Sequence, residues 1–430
     1  MNKTKQTLIV AFALFSLFFG AGNLILPPYL GAQSEGAWYL VTFGFALTAV
    51  VIPILAIFAH AKLQGTMFDF GKKVSPAFSS VYCVFMYAIA IALPAPRTAS
   101  VTHEMAIAPF FNSSTLLTSC VYFALVFIFV MNRSRLLSLI GKYLTPLIVI
   151  ILLIIICLGI YGGSSESVST AVSLPFAIIS EGILEGYQTF DAIGGVVVGA
   201  VIVLSLKTYG EGSYSEKKKV ISQSGLLAGF GLLIIYTGLI FCGFLLKDSF
   251  PENATRTEVL TSLSQLTLGD VGTAFLSVLV ALACFTTAVG IITGASDYVS
   301  GLFQDSRNVY TVTAILSSVI GVIVGSYNVA FIIDIALPAL MFIYPITIVL
   351  ILLNVVPDKF ASETVFKFVI LVTFIFSIPD FLKFLVPIDN LKGILKIIPL
   401  ANYSLGWVFP AVLTFVIVNL VQKKNLNNLT

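Results

Sequence analysis

The chain has 430 residues, of which 58% are hydrophobic and only 10% are charged, and its formal net charge is +3. Ordinary soluble domains carry about 25% charged residues, so this composition excludes a water-soluble globular protein and indicates an integral membrane protein in a lipid bilayer. The small net charge gives no reason to expect nucleic acid as a partner.

Long apolar runs predict about twelve membrane-spanning helices, because about 20 apolar residues cross the hydrocarbon core. The run centres fall near residues 18, 50, 89, 123, 150, 191, 232, 284, 317, 341, 374 and 410. Most of the 23 lysines and arginines lie in the loops on the side of the N-terminus. The positive-inside rule therefore predicts both termini in the cytoplasm of a multi-pass cell (inner) membrane protein, with one transmembrane domain over residues 1–430.

The first predicted helix is interrupted by the stretch "FGAGNLILPPYLG". Gly20 and Gly22 lower the cost of leaving helical dihedral angles, and Asn23 is a good cap for the half-helix that follows. Pro27 and Pro28 lack N–H groups, so carbonyls one turn earlier lose their donors. Free amides suit a carboxylate and free carbonyls suit a small hard cation. The alternative is a kinked helix that packs closely through its glycines.

The sixth predicted helix carries a similar interruption, "EGYQTFDAIGG" at 185–195, with Asp191 near mid-membrane and the glycine pair Gly194–Gly195. A matched pair of interrupted membrane helices is the best sequence indicator of a secondary transporter's binding site. Irregular backbone at this depth should line a cavity or be buried in protein.

Five helices separate one interruption from the next. Since five is odd, the second unit must enter the membrane from the opposite face. We therefore predict two inverted repeats, over about 7–162 and 175–353, with additional helices over about 364–422. The spacing and the two interruptions support this repeat.

Five blocks together resemble the bacterial branched-chain amino acid carrier family, within the amino acid/polyamine/organocation superfamily. They are "FFGAGNLILPPYLG" at 18–31, "ALPAPRTAS" at 92–100, "LIGKYLTPLIVI" at 139–150, "EGYQTFDAIGGVVVGAVIV" at 185–203 and "ALPALMFIYPITIVLILLN" at 336–354. The resemblance implies an all-α, LeuT-type fold of 5+5 inverted repeats with discontinuous first and sixth helices. It implies symport of leucine, isoleucine or valine with sodium, or alternatively with protons, by alternating access.

The resemblance also implies a substrate site at the two interruptions. The superfamily's "GxGN" pattern, whose amides hold the substrate carboxylate, matches Gly20, Ala21, Gly22 and Asn23. The unwound part of the sixth helix falls on Tyr187, Gln188, Thr189, Phe190 and Asp191. An aspartate at the last of these positions departs from the symporters, where a small residue is usual.

A sodium site is implied in the same way. Carbonyls near the end of the first half-helix fall on Ser16 and Phe19, and a hydroxyl pair in the eighth helix falls on Thr286 and Thr287. The carbonyl three residues before that pair belongs to Ala283. The alternative is that the threonines bond back to carbonyls one turn earlier. No cofactor other than the coupling ion is expected.

Four ionisable side chains in predicted helices are further candidates. Asp191 is expected to bind the substrate ammonium or to take part in cation coupling, the alternative being a hydrogen bond to unwound backbone. Arg97 and Glu104 are seven residues apart and could share one helix face; Arg97 would counter Asp191 or an outer-gate acid, or anchor the helix at the interface. Asp334 is a gate residue or a buried structural acid.

Two other classes of protein are disfavoured. A membrane-embedded enzyme would need a His–acid set, a metal site or an activated nucleophile, and the chain holds only His60 and His103. A channel filter is usually built from symmetric rings, and no ring motif is visible. A transporter of another small neutral amino acid stays an alternative.

Overall fold

The computed structural model describes residues 3–34, 36–132, 135–163, 175–197, 199 and 213–427, and most of these residues are helical. The α-helices in chain order are α1 (Lys3–Phe18), α2 (Ala21–Gln33), α3 (Trp38–Ala46), α4 (Ile52–Leu63), α5 (Met67–Gly71), α6 (Pro76–Ala92), α7 (Pro94–Thr102), α8 (Thr115–Met131), α9 (Arg135–Gly162), α10 (Pro175–Tyr187), α11 (191–197), α12 (Tyr214–Leu245), α13 (Arg256–Leu302), α14 (Arg307–Gly325), α15 (Val329–Val355), α16 (Glu363–Leu382), α17 (Lys392–Ile397) and α18 (Val408–Asn427). A π-helical segment joins α3 to α4 at Leu47–Val51, and another follows α7 at His103–Ile107.

Seven helical stretches in the described part of the chain are long and apolar enough to cross a membrane. They are Trp38–Leu63, Pro76–Ile107, Tyr214–Leu245, Arg256–Leu302, Arg307–Gly325, Val329–Val355 and Glu363–Leu382. Three shorter apolar helices accompany them, at Thr4–Ser16, Thr115–Met131 and Pro146–Gly162. The expectation of an all-helical membrane protein with several apolar spans is confirmed, and the number twelve stays a prediction.

Helix α13 has 47 residues, more than a membrane requires. At 1.5 Å per residue a straight helix of this length would extend about 70 Å, against a hydrocarbon core of about 30 Å. Gly269, with φ 69° and ψ −173°, interrupts the helical dihedrals. This conformation is open to glycine and strained for other residues. The kink leaves a short first arm and a second arm long enough to cross the membrane.

The two interrupted helices pack closely against uninterrupted ones. Helix α2 lies against α12, and α10 lies against α3. A β-carbon on Gly31 would lie 1.9 Å from the carbonyl oxygen of Ile240, and one on Gly182 would lie 2.3 Å from that of Val41. Small residues let membrane helices approach at backbone distance, and here they fix both interrupted helices in place.

Two large apolar clusters surround the interruptions. One contains Phe18, Leu24 and Tyr236 beside the first, and the other contains Tyr187 and Phe190 at the second. The polar groups of the candidate site therefore lie beside large clusters of buried apolar side chains. In such surroundings a polar atom without a hydrogen-bond partner is costly.

Candidate functional site

The first interruption separates α1 from α2 at Phe19 and Gly20. Gly20 is the N-cap of α2, with extended dihedrals, and its N–H donates to Oδ1 of Asn23 over 3.2 Å. Asn23 is thus the third residue of α2 and not its cap, which corrects the sequence expectation. The helix begins earlier because the extended residue is the glycine at 20. The side chain of Asn23 still supports the helix start, from inside the first turn.

The second interruption lies between Tyr187, the last residue of α10, and Asp191, the first of α11. Phe190 adopts the left-handed region at φ 61°, and the N–H of Asp191 donates to Oγ1 of Thr189 over 3.2 Å. The pair Gly194–Gly195 lies within α11, so this interruption is formed by a phenylalanine in an unfavourable conformation and not by glycines. A non-glycine residue held at positive φ is common at binding sites.

The two interruptions meet in a buried hydrogen-bonded triad. Nδ2 of Asn23 donates to Oδ2 of Asp191 over 2.6 Å, and the Tyr236 hydroxyl donates to the same oxygen over 3.3 Å. Nδ2 of Asn23 also donates to the Tyr236 hydroxyl. The three residues are at most 3% exposed. The sequence analysis missed Tyr236, because a tyrosine within the run "LLIIYTGLI" resembles any membrane tyrosine.

The eighth predicted helix, the second arm of α13, places three oxygens together. The hydroxyls of Thr286 and Thr287 both donate to the carbonyl of Ala283, over 2.9 and 3.0 Å. This is the back-bonding geometry that the sequence analysis gave as the alternative. The same geometry gathers a carbonyl and two hydroxyl oxygens, which are ligands that hard cations prefer.

This oxygen group lies beside the first interruption. A β-carbon on Gly20 would lie 3.9 Å from Oγ1 of Thr287. Ser16 is in the last turn of α1 and Phe19 follows it, so their carbonyls are at the negative end of that half-helix. The structure therefore places Thr287 beside Gly20, the residue that follows Phe19, while the ion site itself stays a prediction.

Arg97 of α7 is buried at the first interruption, with 4% of its surface exposed. A β-carbon on Gly22 would lie 2.5 Å from its Nη2 atom, and the guanidinium is 5.2 Å from the ring centroid of Phe190. Nη1 has no hydrogen-bond partner among the described residues. The interfacial-anchor alternative for Arg97 is wrong, because the side chain is inside the protein.

Gln188 and two tyrosines add further unsatisfied polar atoms. The Gln188 side chain is fully buried, and neither its Oε1 nor its Nε2 has a hydrogen-bond partner in the described part of the chain. Tyr187 stacks on Tyr344 with ring centroids 4.4 Å apart, and both hydroxyls also lack partners there. The second interruption thus combines aromatic surface with several buried polar atoms that are not satisfied by protein.

The Glu104 carboxylate connects neighbouring helices through hydrogen bonds. Its Oε2 accepts from the hydroxyl of Thr257 over 2.5 Å, and its Oε1 accepts from the N–H of Val329 over 2.8 Å. Glu104 is the second residue of the π-helical segment His103–Ile107, and its hydrogen bonds go to α13 and α15 rather than to Arg97. The carboxylate instead caps the start of α15, a favourable place for negative charge.

Asp334 of α15 is exposed, so the buried-acid alternative for this residue is wrong. Within the described ranges, no group of three or more His, Cys, Asp or Glu side chains is placed to hold a metal ion.

Comparisons with known proteins identify the family. The family model described as "Branched-chain amino acid transport protein" matches residues 3–425. The branched-chain amino acid transport system 2 carrier protein of Pseudomonas aeruginosa is 31% identical over 421 residues, covering 96% of this chain and 95% of that protein. The branched-chain amino acid permease BraB of Bacillus subtilis is 31% identical over 427 residues, covering 96% and 94%.

Solved structures show a shared fold. The inward-facing conformation of Mhp1 superposes with a TM-score of 0.55 at 14% identity, covering 96% of this chain and 91% of that one. Mhp1 in a closed conformation with bromovinylhydantoin bound, described as a nucleobase-cation-symport-1 family transporter, gives 0.56 at 11% identity with the same coverage. At such identity the likeness shows the fold alone, and it confirms the expected similarity to LeuT-type transporters.

Proposed function

The chain belongs to the branched-chain amino acid transport protein family, and we propose that it imports its substrate together with sodium. It is a multi-pass membrane carrier of branched-chain amino acids and not an enzyme. To this carrier function the proposal adds sodium as the coupling ion, import as the direction of transport, and the residues that bind substrate and ion. One observation carries it: the two helix interruptions, 168 residues apart in sequence, meet at the hydrogen bond between Asn23 and Asp191.

The substrate is a zwitterion, so its site must satisfy one carboxylate and one ammonium group. In this proposal the first amides of α2, at Ala21 and Gly22, face the carboxylate from the positive end of the helix. Asp191 faces the ammonium, and Asn23 and Tyr236 hold its carboxylate in place. The branched side chain would be received by aromatic surface at the second interruption, formed by Phe190, Tyr187 and Tyr344, with Gln188 and Thr189 in the same unwound segment.

Sodium would bind among the oxygens of Ala283, Thr286 and Thr287, together with the carbonyls of Ser16 and Phe19. At present both threonine hydroxyls donate hydrogen bonds to the Ala283 carbonyl. When sodium binds, it would take their place at this carbonyl. Each hydroxyl would rotate so that its oxygen coordinates the ion. Because Gly20 lies beside Thr287, occupation of this site would order the first interruption and favour substrate binding.

Coupling gives the direction of transport. Inward movement of one positive charge releases about 2.3 kcal/mol per 100 mV of membrane potential, in addition to its concentration term. In the proposed mechanism the inverted repeats, over about 7–162 and 175–353, alternate the access of the central site. Both termini would face the cytoplasm, in agreement with the positive-inside rule.

Uptake of leucine into proteoliposomes that contain the full chain tests the proposal. Four conditions are compared: an inward sodium gradient, an inward proton gradient, both gradients and neither. We expect saturable uptake with the sodium gradient alone, and little with the proton gradient. Uptake driven only by protons would overturn the sodium assignment and leave the carrier intact, whereas ohmic currents without saturation would indicate a channel.

A further inference from the structure

The buried guanidinium of Arg97 is not accounted for by the contacts of the protein. Among the described residues, its Nη1 atom has no hydrogen-bond partner and no carboxylate forms an ion pair with the guanidinium. The guanidinium does contact the face of Phe190, 5.2 Å away. A cation–π contact does not replace an anion for a buried charge, because an unpaired buried ion costs several kcal/mol.

The position of Arg97 at the start of α2 makes the free-energy cost of its unpaired charge larger. The guanidinium touches Gly22, in the first turn of α2, where unpaired N–H groups and the helix dipole make the local potential positive. A cation is unfavourable at such an end unless an anion lies between it and the helix. The buried acid Asp191 attracts Arg97 electrostatically, but its Oδ2 already accepts from Asn23 and Tyr236.

We propose that Arg97 binds the α-carboxylate of the transported amino acid, together with the first amides of α2. This inference rests on the proposed function and names the side chain that selects amino acids among branched aliphatic molecules. The planar fork of an arginine matches a carboxylate in a bidentate manner, and lysine does not. The zwitterion then bridges two opposite buried charges that do not pair with each other: its carboxylate meets Arg97 and its ammonium meets Asp191.

Gly22 and Gln188 fit the same assignment. The absence of a β-carbon at Gly22 makes room for the guanidinium and lets a carboxylate reach the main chain. The carbonyl oxygen of Gln188 would lie 3.2 Å from that missing atom, so both interruptions border this point. The buried amide of Gln188, with neither atom bonded within the described residues, is a further group that a polar ligand at this point can satisfy.

The test measures which part of the substrate Arg97 recognises. Equilibrium binding of radiolabelled leucine and of isoamylamine, which is leucine without its carboxylate, is measured on the full chain in lipid nanodiscs with sodium. We expect the unaltered protein to bind leucine about 100-fold more tightly than isoamylamine, the worth of a hydrogen-bonded charge pair. Arg97→Gln should lose this preference through weaker leucine binding, with isoamylamine affinity changed less than about threefold.

Two further variants separate recognition from a structural role. Arg97→Lys keeps the charge but not the fork, and we expect it to retain about a tenfold preference for leucine. Arg256→Gln is the matched control, because this arginine is partly buried and already paired with Glu185 at 2.6 Å. It should keep the ratio of the unaltered protein. A ratio in Arg97→Gln equal to that of the unaltered protein, whatever the absolute affinity, overturns the inference.

A measurement on the unaltered protein covers the case in which Arg97→Gln does not fold. Phenylglyoxal modification of Arg97 is followed by mass spectrometry with saturating leucine or saturating isoamylamine. Leucine should protect Arg97 and isoamylamine should not; equal protection by both, or by neither, overturns the inference. Failure of the unaltered protein to bind leucine at all would contradict the carrier function itself, which distinguishes the two failures.

Discussion

The amide Nδ2 of Asn23 lies 2.6 Å from Oδ2 of Asp191, and this hydrogen bond joins the first turns of two helices that follow interruptions. Both residues are buried, at 1% and 3% exposure. The bond fixes one oxygen of the carboxylate and the start of α2 relative to each other. A change at either residue should therefore affect the substrate site before it affects the fold.

Asp191→Asn should reduce leucine uptake by about 100-fold or more, because a neutral amide cannot replace a carboxylate facing an ammonium group. The variant should still insert into the membrane, since the amide keeps the size of the side chain. Uptake into proteoliposomes and the amount of protein inserted are the two measurements. Asp389→Asn is the matched control on an exposed aspartate that pairs with Lys392, and it should leave uptake nearly unchanged. Unchanged kinetics in Asp191→Asn would reject its role in binding or coupling.

Thr286→Ala and Thr287→Ala should each raise the sodium concentration for half-maximal uptake by about tenfold or more, because each removes one oxygen ligand of the proposed ion site. Sodium titration of leucine uptake measures the effect. Thr267→Ala is the matched control: it removes a threonine on α13 that also bonds back, to Leu263 over 2.8 Å, but before the kink at Gly269. Sodium dependence unaltered in both site variants would remove the ion-site assignment.

Gly22→Ala should abolish leucine binding while the protein still folds. The added carbon would lie 2.5 Å from Nη2 of Arg97 and 3.2 Å from the carbonyl oxygen of Gln188, and the flexible arginine would have to move away. Gly290→Ala is the control, because nothing lies within 4 Å of a β-carbon there. Leucine binding to the purified variants is measured, with thermal unfolding as the test of folding. Normal binding by Gly22→Ala would show that the substrate does not approach this turn.

Asp358, which follows the apolar helical stretch Val329–Val355, gives a prediction about pH. Hydrogen bonds from Lys73 and Lys62, each 3.1 Å from Oδ1, lower the pKa of Asp358 below its ordinary value. A carboxylate with a lowered pKa stabilises the folded state above its unfolded pKa of about 3.9, and this contribution is lost as the pH falls through the lowered pKa.

Asp358→Asn should therefore lower Tm slightly at about pH 7 and have no effect at the acid end of the titration. The effect should be small because the side chain is 70% exposed. Thermal unfolding of the purified protein against pH measures it. Asp389→Asn should lower Tm less than Asp358→Asn does at neutral pH. The exposed ion pair of Asp389 with Lys392 connects only residues three apart in one short segment. An equal Tm difference at all pH values would contradict the electrostatic mechanism.

The neighbourhood of both interruptions could be predicted from sequence. Glycines and prolines inside an apolar run disfavour a continuous membrane helix at the first, and an aspartate inside an apolar run marks the second. Their detail could not. The first interruption lies at Phe19 and Gly20, and the second depends on Phe190 at positive φ, a conformation for which a phenylalanine gives no warning. Tertiary packing selects it against the intrinsic preference of the residue.

The positions of Arg97 and Glu104 show a second limit. Seven residues in a regular helix place two side chains on one face, and the sequence therefore groups these two. The structure places Glu104 in the π-helical segment His103–Ile107, where its carboxylate accepts hydrogen bonds from Thr257 and Val329. The sequence of this segment contains no signal for the extra residue per turn, and Tyr236 likewise could not be distinguished from its apolar neighbours.

The carboxylate of Glu104 joins the end of α7, the beginning of α13 and the beginning of α15. Separation of any one of these three ends would leave an oxygen of a half-buried acid without its donor. These two hydrogen bonds therefore favour movement of the three helix ends together over movement of one alone. Glu104→Ala would remove both hydrogen bonds at once, and the three helix ends would then be held by side-chain packing alone.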